Sequence, residues 1–579
     1  MDLDTDVLII GAGMSGLGFA VQLVKTHGHR SFEIVEKEEH IGGTWWVNSY
    51  PGCGADVVAH YYSYSFCMNP NWSRMYPLQP EILAYFENVA AKYGIEKHIQ
   101  FETKVESAYW QEDSGTWLVN LKNLKTSETY QRRCKILISA VGILSEPNEC
   151  DIKGYESFQG ALFHSTQWDH SFDYQGKQVI VIGNGCSASQ IVPAITQGDG
   201  AVKKVTQFAR QAQWVFERTN PEYTDNFRLI MRWVPFAMRA YRAMHNYYAE
   251  MDFKSFPTEA GAALRKMYAD YQGAYIKRAS PEKYHDFLVP KSEVGCKRRV
   301  MDSDYLQSLG RDNVELVYSD PIEEILPQGV RTKSGRIVEA DAIVLANGFQ
   351  VQKPLLTLNL HGQGGVSVAD HVSAQFRKRP PPLSREANND EPQWEKFSQG
   401  ASSAYFGTCL SQFPNYFIMM GPNTASGHGS VSYITECQIN YTMRVIKPIL
   451  KALRAQRSSV PVLSFLQQST DVVRVKPGAE QRDLDDVQAR AKDMVWASGC
   501  TSWALDEKSK RNTTMYPDFQ YKYWLRSILV AWNDLHFSTS PVLAESLASK
   551  SISIGTWVAL LAGVSVATTI LYEKGALKS

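Results

Sequence analysis

Two short glycine-rich turns constrain the fold of this chain of 579 residues more than any other feature. Residues 11–16 read GAGMSG, and residues 183–188 read GNGCSA. Each turn follows a short run of apolar and β-branched residues, and each precedes a segment compatible with a helix. A strand, a glycine turn and a helix together form the pyrophosphate-binding unit of Rossmann-type domains. The sequence therefore predicts an α/β fold with two Rossmann-like dinucleotide-binding domains.

The first turn has the features of a site for an adenosine-containing cofactor. Gly11 and Gly13 let the backbone approach a pyrophosphate, and Gly16 lets the helix pack closely. Glu36 ends the next apolar run, 20 residues beyond Gly16, where a carboxylate can accept the ribose hydroxyls. Because a carboxylate repels a 2′-phosphate, we expect this domain to bind FAD or NAD rather than NADP.

The second turn differs at the position that selects the nucleotide. Gly183, Gly185 and Ser187 are expected to line its phosphate site. The apolar run after its helix ends at Arg210, with no carboxylate there. A guanidinium donates paired hydrogen bonds to phosphate oxygens, so this domain is predicted to select NADPH over NADH.

The segment between the two units carries a family resemblance. Residues 158–169 read FQGALFHSTQWD, which resembles the FxGxxxHxxxW(P/D) fingerprint of type I Baeyer–Villiger monooxygenases. The matching residues are Phe158, Gly160, His164, Trp168 and Asp169. The resemblance covers residues 5–545 and implies that this segment links the domains. It also implies that His164 couples domain motion to turnover, with a satisfied structural histidine as the alternative.

Two further segments resemble parts of this family that surround the flavin. Residues 42–56 are similar to its GGTWxxNxYPGxxxD stretch, and residues 421–424 to its GPN segment. The resemblance implies FAD contacts for one set of residues: Gly43, Thr44, Trp45, Tyr50, Asp56 and Asn423. It also makes Asp56 the active-site aspartate.

The partner of Asp56 is expected in residues 295–299 (GCKRR), which resemble the family's G-x-K-R segment. By that resemblance Arg298 is the catalytic arginine, and Lys297 helps to hold the phosphate of the nicotinamide cofactor. The adjacent Arg299 is the alternative. A fixed guanidinium stabilises a peroxide anion and the adduct that follows its attack on a ketone.

The function implied by the resemblance is that of an FAD- and NADPH-dependent monooxygenase. Through a flavin peroxide, it would insert one oxygen atom from O2 next to a ketone carbonyl, giving an ester or lactone in secondary metabolism. The first alternative is a flavin monooxygenase that performs N- or S-oxygenation, hydroxylation or epoxidation. The second is a cofactor-binding protein without turnover. No metal is expected in any of them.

Composition excludes other classes of function. Lys+Arg and Asp+Glu both number 60, so no excess of basic residues indicates a nucleic-acid partner. The nine cysteines include no CxxC pair, which disfavours a zinc site and a dithiol redox motif. We therefore expect the cysteines to be free thiols in a reducing compartment.

The expected organisation is an FAD-binding domain in two parts around an NADPH-binding domain. The FAD parts are residues 1–150 and 349–545, and the NADPH domain is 151–348 with a helical insertion at about 217–290. Residues 552–571 form an uncharged stretch of 20 residues, long enough to span a bilayer as a transmembrane tail helix. A membrane anchor with the catalytic part facing the cytosol is the prediction. Because small polar residues dilute the stretch, a buried or surface-docked helix of a cytoplasmic enzyme is the alternative.

Overall fold

The computed structural model of the protein describes most of the chain. The described residues are 3–351, 357–371, 404–457, 470–500, 502–506 and 510–545. The predicted tail helix at 552–571 lies outside them. Among the described residues, no helix is long and apolar enough to cross a membrane.

The elements of regular structure alternate as the sequence predicts for an α/β protein. The strands are β1 (Thr5–Ile10), β2 (Phe32–Val35), β3 (Ile99–Gln100), β4 (Thr103–Gln111), β5 (Thr116–Asn123), β6 (Thr129–Ser139), β7 (Ala161–His164), β8 (Gln178–Ile182), β9 (Lys204–Phe208), β10 (Val215–Phe216), β11 (Val300–Met301), β12 (Val314–Val317), β13 (Ile322–Leu326), β14 (Gly329–Thr332), β15 (Ile337–Glu339), β16 (Ala342–Leu345), β17 (Leu360–His361), β18 (Tyr416–Ile418), β19 (Val472–Val475) and β20 (Leu535–Ser538). The helices are α1 (Met14–His27), α2 (Thr44–Val47), α3 (Ala59–Tyr62), α4 (Gln79–Tyr93), α5 (Cys186–Ile195), α6 (Asp225–Trp233), α7 (Ala237–Asp252), α8 (Ala262–Ala279), α9 (His285–Leu288), α10 (Tyr305–Ser308), α11 (Val431–Arg457), α12 (Pro477–Ala491) and α13 (Gln520–Ile528).

The first sheet has β1 near its centre, as expected for the strand before the first glycine turn. Its order is β17-β4-β5-β6-β1-β2-β3, and β18 also pairs with β6. Strand β1 runs parallel to both β2 and β6, and all of its residues are buried. Burial on both faces explains its continuous apolar sequence, which lacks the alternation of a half-exposed strand. The apolar runs before the first glycine turn and before Glu36 form β1 and β2, as the Rossmann-type pattern predicts.

The second sheet is wholly parallel in the order β12-β9-β8-β16-β7. Strand β8 enters the second glycine turn, and α5 begins directly after it. Strand β16 lies between β8 and β7. Helices α6, α7 and α8 lie within the predicted insertion at 217–290.

The chain returns to the first sheet after it completes the second. Strand β18 pairs with β6 in parallel, and Asn415 just before it bonds to the backbone of Val473. A buried ion pair between Lys135 and Asp471 joins β6 to the start of β19. The first sheet is thus built from chain segments on both sides of the second sheet.

We expect the first glycine turn to be intolerant of a side chain. Gly11 has a φ of +104°, and a Cβ there would lie 2.6 Å from the carbonyl oxygen of Ala140. Because the substitution combines a strained backbone with overpacking, Gly11→Ala should reduce the free energy of unfolding by about 2–3 kcal/mol.

The measurement is the midpoint of thermal unfolding, with Gly28→Ala as the matched control. Gly28 also has a positive φ, +58°, but a Cβ there would meet no atom within 4 Å. Gly28→Ala should therefore reduce the free energy of unfolding only through the strained backbone, by about 1 kcal/mol. Equal shifts for the two variants would contradict the tight approach at Gly11.

Candidate active site

An ion pair connects the two predicted cofactor domains at the centre of the site. Arg298 donates from Nη2 to Oδ2 of Asp56 at 2.6 Å, although 242 positions separate them in the chain. Both side chains keep part of their surface exposed. Arg298 also bonds to Cys186, the first residue of α5. The structure thus brings together residues from the first domain, the second glycine turn and the segment before β11.

The electrostatics of this pair favour two charged groups. Burial works to raise the pKa of Asp56, but the guanidinium of Arg298 overcomes it and holds this pKa below its ordinary value. The charge of Asp56 in turn raises the pKa of Arg298. Removal of either partner would take from the other, in a partly desolvated environment, its main compensating charge.

The structure separates Arg298 from its neighbour Arg299. Arg299 is buried and makes two hydrogen bonds to the carboxylate of Asp252 at the end of α7. Its guanidinium also lies 4.8 Å from the ring centre of Phe216. The two consecutive arginines therefore serve different partners, and only Arg298 contacts Asp56.

Arg218 is a second cation near Asp56 that the sequence analysis did not single out. It donates to the carbonyl oxygen of Ala55 at 3.1 Å, and its charge also lowers the pKa of Asp56. Burial lowers the pKa of Arg218 itself. The residues around Arg218 match no motif in the sequence, so its proximity to Asp56 is visible only in the structure.

The first glycine turn has the form required by a dinucleotide. The backbones of Gly13 and Gly43 approach so closely that a Cβ on Gly13 would lie 3.4 Å from the Cα of Gly43. Gly16 is buried at the start of α1. Glu36 accepts hydrogen bonds from the N–H groups of Ala12 at 2.6 Å and Glu38 at 3.0 Å. The carboxylate is therefore fixed beside the glycine turn, where the fit to an adenosine ribose is good.

The segment at 44–50 links this turn to the second domain. Trp45 is buried and donates to the hydroxyl of Tyr62 at 3.0 Å, while Thr44 is exposed at the start of α2. Tyr50 donates to Oε1 of Gln190 in α5 at 3.0 Å. A predicted flavin-binding segment thus lies against the helix of the second glycine turn.

The second glycine turn presents an open backbone. Gly183 begins the turn with a φ of +121°, and a Cβ on Gly185 would meet no atom within 4 Å. Ser187 lies in the first turn of α5, so amide donors of that helix face the same region. Arg210 is exposed just after β9, and Lys297 bonds to the neighbouring Gln211. The cations expected to hold a phosphate therefore lie at one end of the sheet.

The fingerprint segment forms edge strand β7 and the turn after it. His164 Nδ1 accepts from the backbone N–H of Thr166 at 3.1 Å, so Nε2 carries the proton and donates to the carbonyl of Gly348 at 3.2 Å. Burial lowers the pKa of His164, which favours this neutral form. His164 thereby ties β7 to the residues through which the chain leaves the second sheet.

The other fingerprint residues make contacts within their own segment or next to it. Trp168 is buried with its ring edge-on to Phe163, and Asp169 accepts two hydrogen bonds from Ser171. Gly160 lies so close to Phe158 that a Cβ there would approach its ring to 2.7 Å. These four residues shape the segment, and no described contact joins them to Asp56 or Arg298.

Asn423, which the family resemblance makes a flavin contact, is held by a distant segment of the chain. It is buried, and its amide nitrogen donates to the carbonyls of Asn512 at 2.9 Å and Met515 at 3.3 Å. Its amide donors therefore hold the 512–515 segment. The sequence could not show this, because the two segments are distant in the chain.

The expectation of free thiols is wrong for one pair of cysteines. Cys296 and Cys500 form a disulfide with a Cα–Cα distance of 6.3 Å. Their separation of 204 positions gave no sign of the pairing in the sequence. The other seven cysteines are free thiols. The disulfide adjoins Lys297 and Arg298, so it attaches this segment to the region around residue 500.

The chain is similar to known flavin-dependent monooxygenases. The flavin-binding monooxygenase-like family model matches residues 4–255. A Baeyer–Villiger monooxygenase of Pseudomonas aeruginosa is 31% identical over 93% of this chain and 93% of its own length. One from Streptomyces coelicolor is 32% identical over 88% of each chain, and an FAD-binding monooxygenase of Aspergillus niger is 31% identical over 98% of this chain and 88% of its own.

Solved structures have the same fold. The complex of OTEMO with FAD and NADP has a TM-score of 0.75 at 24% identity and covers 93% of this chain and 100% of its own. The closed structure of cyclohexanone monooxygenase has a TM-score of 0.75 at 22% identity with the same coverage.

We expect the Arg298–Asp56 pair to stabilise the protein in a pH-dependent way. The folded-state pKa of Asp56 is below its ordinary value of 3.8, so the contribution is present above about pH 4 and is lost as pH falls through the folded pKa. In Arg298→Met, the largest influence that lowers the pKa of Asp56 is lost, and burial, which raises this pKa, is opposed mainly by the charge of Arg218. The variant should melt about 2–4 °C lower than the wild type at pH 7, and the gap should narrow below pH 4.

The measurement is the melting temperature between pH 3 and pH 8, with Arg74→Met as the control. Arg74 pairs with Glu222 at 3.0 Å, but that carboxylate is largely exposed. The control should therefore melt within about 1 °C of the wild type throughout. A gap for Arg298→Met that stayed constant down to pH 3 would refute the assigned pairing.

Proposed function

This chain belongs to the Baeyer–Villiger members of the flavin-binding monooxygenase family, and on that basis we propose that it uses FAD, NADPH and O2 to insert one oxygen atom next to a ketone carbonyl. The product is an ester or a lactone. The contact between Arg298 and Asp56, at the junction of the two glycine-turn domains, is the observation that carries this proposal. The Baeyer–Villiger relatives match 93% and 88% of this chain.

FAD is proposed to bind at the first glycine turn. Gly11, Gly13 and Gly16 provide backbone access, Glu36 accepts the ribose hydroxyls, and Gly43, Thr44, Trp45 and Tyr50 border the ring system. When bound and reduced, FAD supplies the activation of dioxygen. The close approach of Gly13 and Gly43 supports this placement, because it brings the backbones of the glycine turn and of the predicted flavin-binding segment together. Asn423 is proposed to border the flavin as well, with its amide donors holding the 512–515 segment.

NADPH is proposed to bind at the second glycine turn. Gly183, Gly185 and Ser187 receive the pyrophosphate at the start of α5, and Arg210 and Lys297 bind the 2′-phosphate. The openness of Gly185 and the exposure of Arg210 support this proposal. Tyr50 bonds to α5, so the two nucleotides would meet near Asp56.

The role of Arg298 follows from its permanent charge. A guanidinium remains protonated next to a hydride donor or an oxidant, and it donates N–H groups to an oxygen that gains negative charge. Asp56 fixes its orientation through one oxygen, which leaves other N–H groups of the fork for the substrate. Exclusion of water by the two domains would strengthen these interactions.

The domain limits, the linking role of the fingerprint and the location of the protein are also proposals. The return of β18 to the first sheet supports a discontinuous FAD domain at 1–150 and 349–545 around an NADPH domain at 151–348. The bond between His164 and Gly348 supports a coupling role at their boundary. A membrane anchor at 552–571, and a role in secondary metabolism, remain predictions from the sequence.

We expect the wild-type enzyme to convert a ketone from a test panel into an ester or lactone under 18O2. The product should gain one labelled atom next to the carbonyl, as determined by mass spectrometry. Arg298→Ala should lower ester formation by about 10²–10³-fold, because charge on the carbonyl oxygen loses its donor. NADPH should still bleach the flavin absorbance of the variant.

Three results would count against this function. Ester formation that persists in Arg298→Ala would remove Arg298 from the chemistry. Label on nitrogen, sulfur or an alkene carbon would favour another flavin monooxygenase reaction. A purified protein without FAD, or without NADPH-dependent bleaching, would favour a protein that does not turn over.

We expect Arg210 to determine the preference for NADPH. Arg210→Ala should raise KM for NADPH by about 10–100-fold, since a charge-assisted contact with the 2′-phosphate is lost. KM for NADH should change little. The control is Lys203→Ala, which removes an exposed cation before β9. The assignment fails if both coenzymes weaken equally in Arg210→Ala.

A further inference from the structure

A helical hairpin on the surface exposes an unusual concentration of large apolar side chains. It consists of α6, the turn at 234–236 and α7, and its tip carries Trp233 at 73% exposure and Phe236 at 76%. Further exposed apolar residues continue from the tip along both helices: Leu229, Ile230, Val234, Met244, Tyr247 and Tyr248. Scattered apolar residues are normal on a protein surface, but a continuous patch of this kind marks a binding face.

The apolar residues follow the helical period. On α6, Leu229, Ile230 and Trp233 share one face, and on α7 Met244 and Tyr248 lie one turn apart. The opposite face of α6 holds the hairpin to the protein body, because Arg228 donates to the carbonyl of Trp72 at 3.2 Å. Each helix is therefore amphipathic with its apolar side outward, the reverse of an ordinary surface helix.

The tip is held in a strained conformation that directs Phe236 outward. Phe236 has a φ of +65°, which a bulky residue adopts only when its surroundings impose it. Pro235 precedes it and restricts the turn. The exposed tip is thus a built feature of the fold.

The charges of the hairpin indicate its partner. Between Asp225 and Glu250 the chain contains four arginines and no carboxylate. Arg228 and Arg242 pair with Asp225 and Glu436, whereas Arg232 and Arg239 are exposed beside the tip and pair with no carboxylate among the described residues. A second copy related by a two-fold axis would bring these like charges together, which disfavours a dimer through this face.

We propose that this hairpin docks onto the surface of an anionic lipid bilayer. Trp233, Val234 and Phe236 enter the boundary between headgroups and acyl chains, and Arg232 and Arg239 contact lipid phosphates. Aromatic residues at a convex tip with an arginine rim suit the interface of a membrane. The inference rests on described residues only, and neither the proposed reaction nor the predicted tail is needed for it.

The test uses the full chain and vesicles of phosphatidylcholine and phosphatidylglycerol with brominated acyl chains. Bromine quenches tryptophan that enters the bilayer, and Trp233→Phe removes the indole while it keeps an aromatic residue at the tip. The wild type should show a quenched emission component that is absent in Trp233→Phe. Trp503→Phe, which removes another exposed tryptophan, should retain it.

A second pair of variants measures the affinity for vesicles by co-sedimentation. Trp233→Ser combined with Phe236→Ser should reduce the bound fraction several-fold, and added salt should weaken binding of the wild type. Leu124→Ser with Ile337→Ser, which removes exposed apolar residues elsewhere, should bind like the wild type. Unchanged melting temperatures show that the variants remain folded.

Other outcomes overturn the proposal. Binding without a quenched component specific to Trp233 would place the contact elsewhere in the chain. Absence of vesicle binding would exclude a membrane surface. A dimer in sedimentation velocity without lipid, abolished by the double serine variant, would make a second copy the partner.

Discussion

The charge pair between Asp56 and Arg298 connects the two domains on which the proposed chemistry depends. Burial disfavours the charged form of a carboxylate or a guanidinium at this position. Each group stabilises the charged form of the other. Asp56 follows the first glycine-turn unit, and Arg298 precedes β11 beside the second sheet. The pair therefore ties the relative position of two cofactor domains to one electrostatic contact.

The same junction supports the proposal that both glycine turns serve one site. Strands β1 and β8 each end in a glycine turn, and ligands of parallel sheets bind at such carboxyl ends. Tyr50 bonds to Gln190, and Gln190 in turn donates to the carbonyl of Gly54 at 3.1 Å. The segment that precedes Asp56 thus packs directly on α5. A hydride donor held at α5 and an acceptor held at the first turn would lie on the two sides of this contact.

The sequence predicted the local units of the fold well and the distant contacts poorly. Strands β1 and β8 contain apolar runs that end in glycine turns, and both lie where the pattern predicted them. The pairing of Cys296 with Cys500, the charge of Arg218 near Asp56 and the bonds of Asn423 were not predicted. These contacts join residues far apart in the chain, and no periodicity or spacing encodes them. The residue types of the candidate site came from a family resemblance, and the structure added their partners.

The choice between Arg298 and Arg299 shows how a single position can decide chemistry. The two adjacent arginines before β11 bond to different carboxylates, Arg298 to Asp56 and Arg299 to Asp252, so only Arg298 faces the proposed site. The segment is fixed at three points: Cys296 to Cys500, Arg298 to Asp56, and Arg299 to Asp252. These anchors lie in three different parts of the chain, so a shift of register by one residue would break all of them. A guanidinium held in this way requires little reorganisation when charge develops nearby, and that preorganisation is what stabilisation of an anionic oxygen requires.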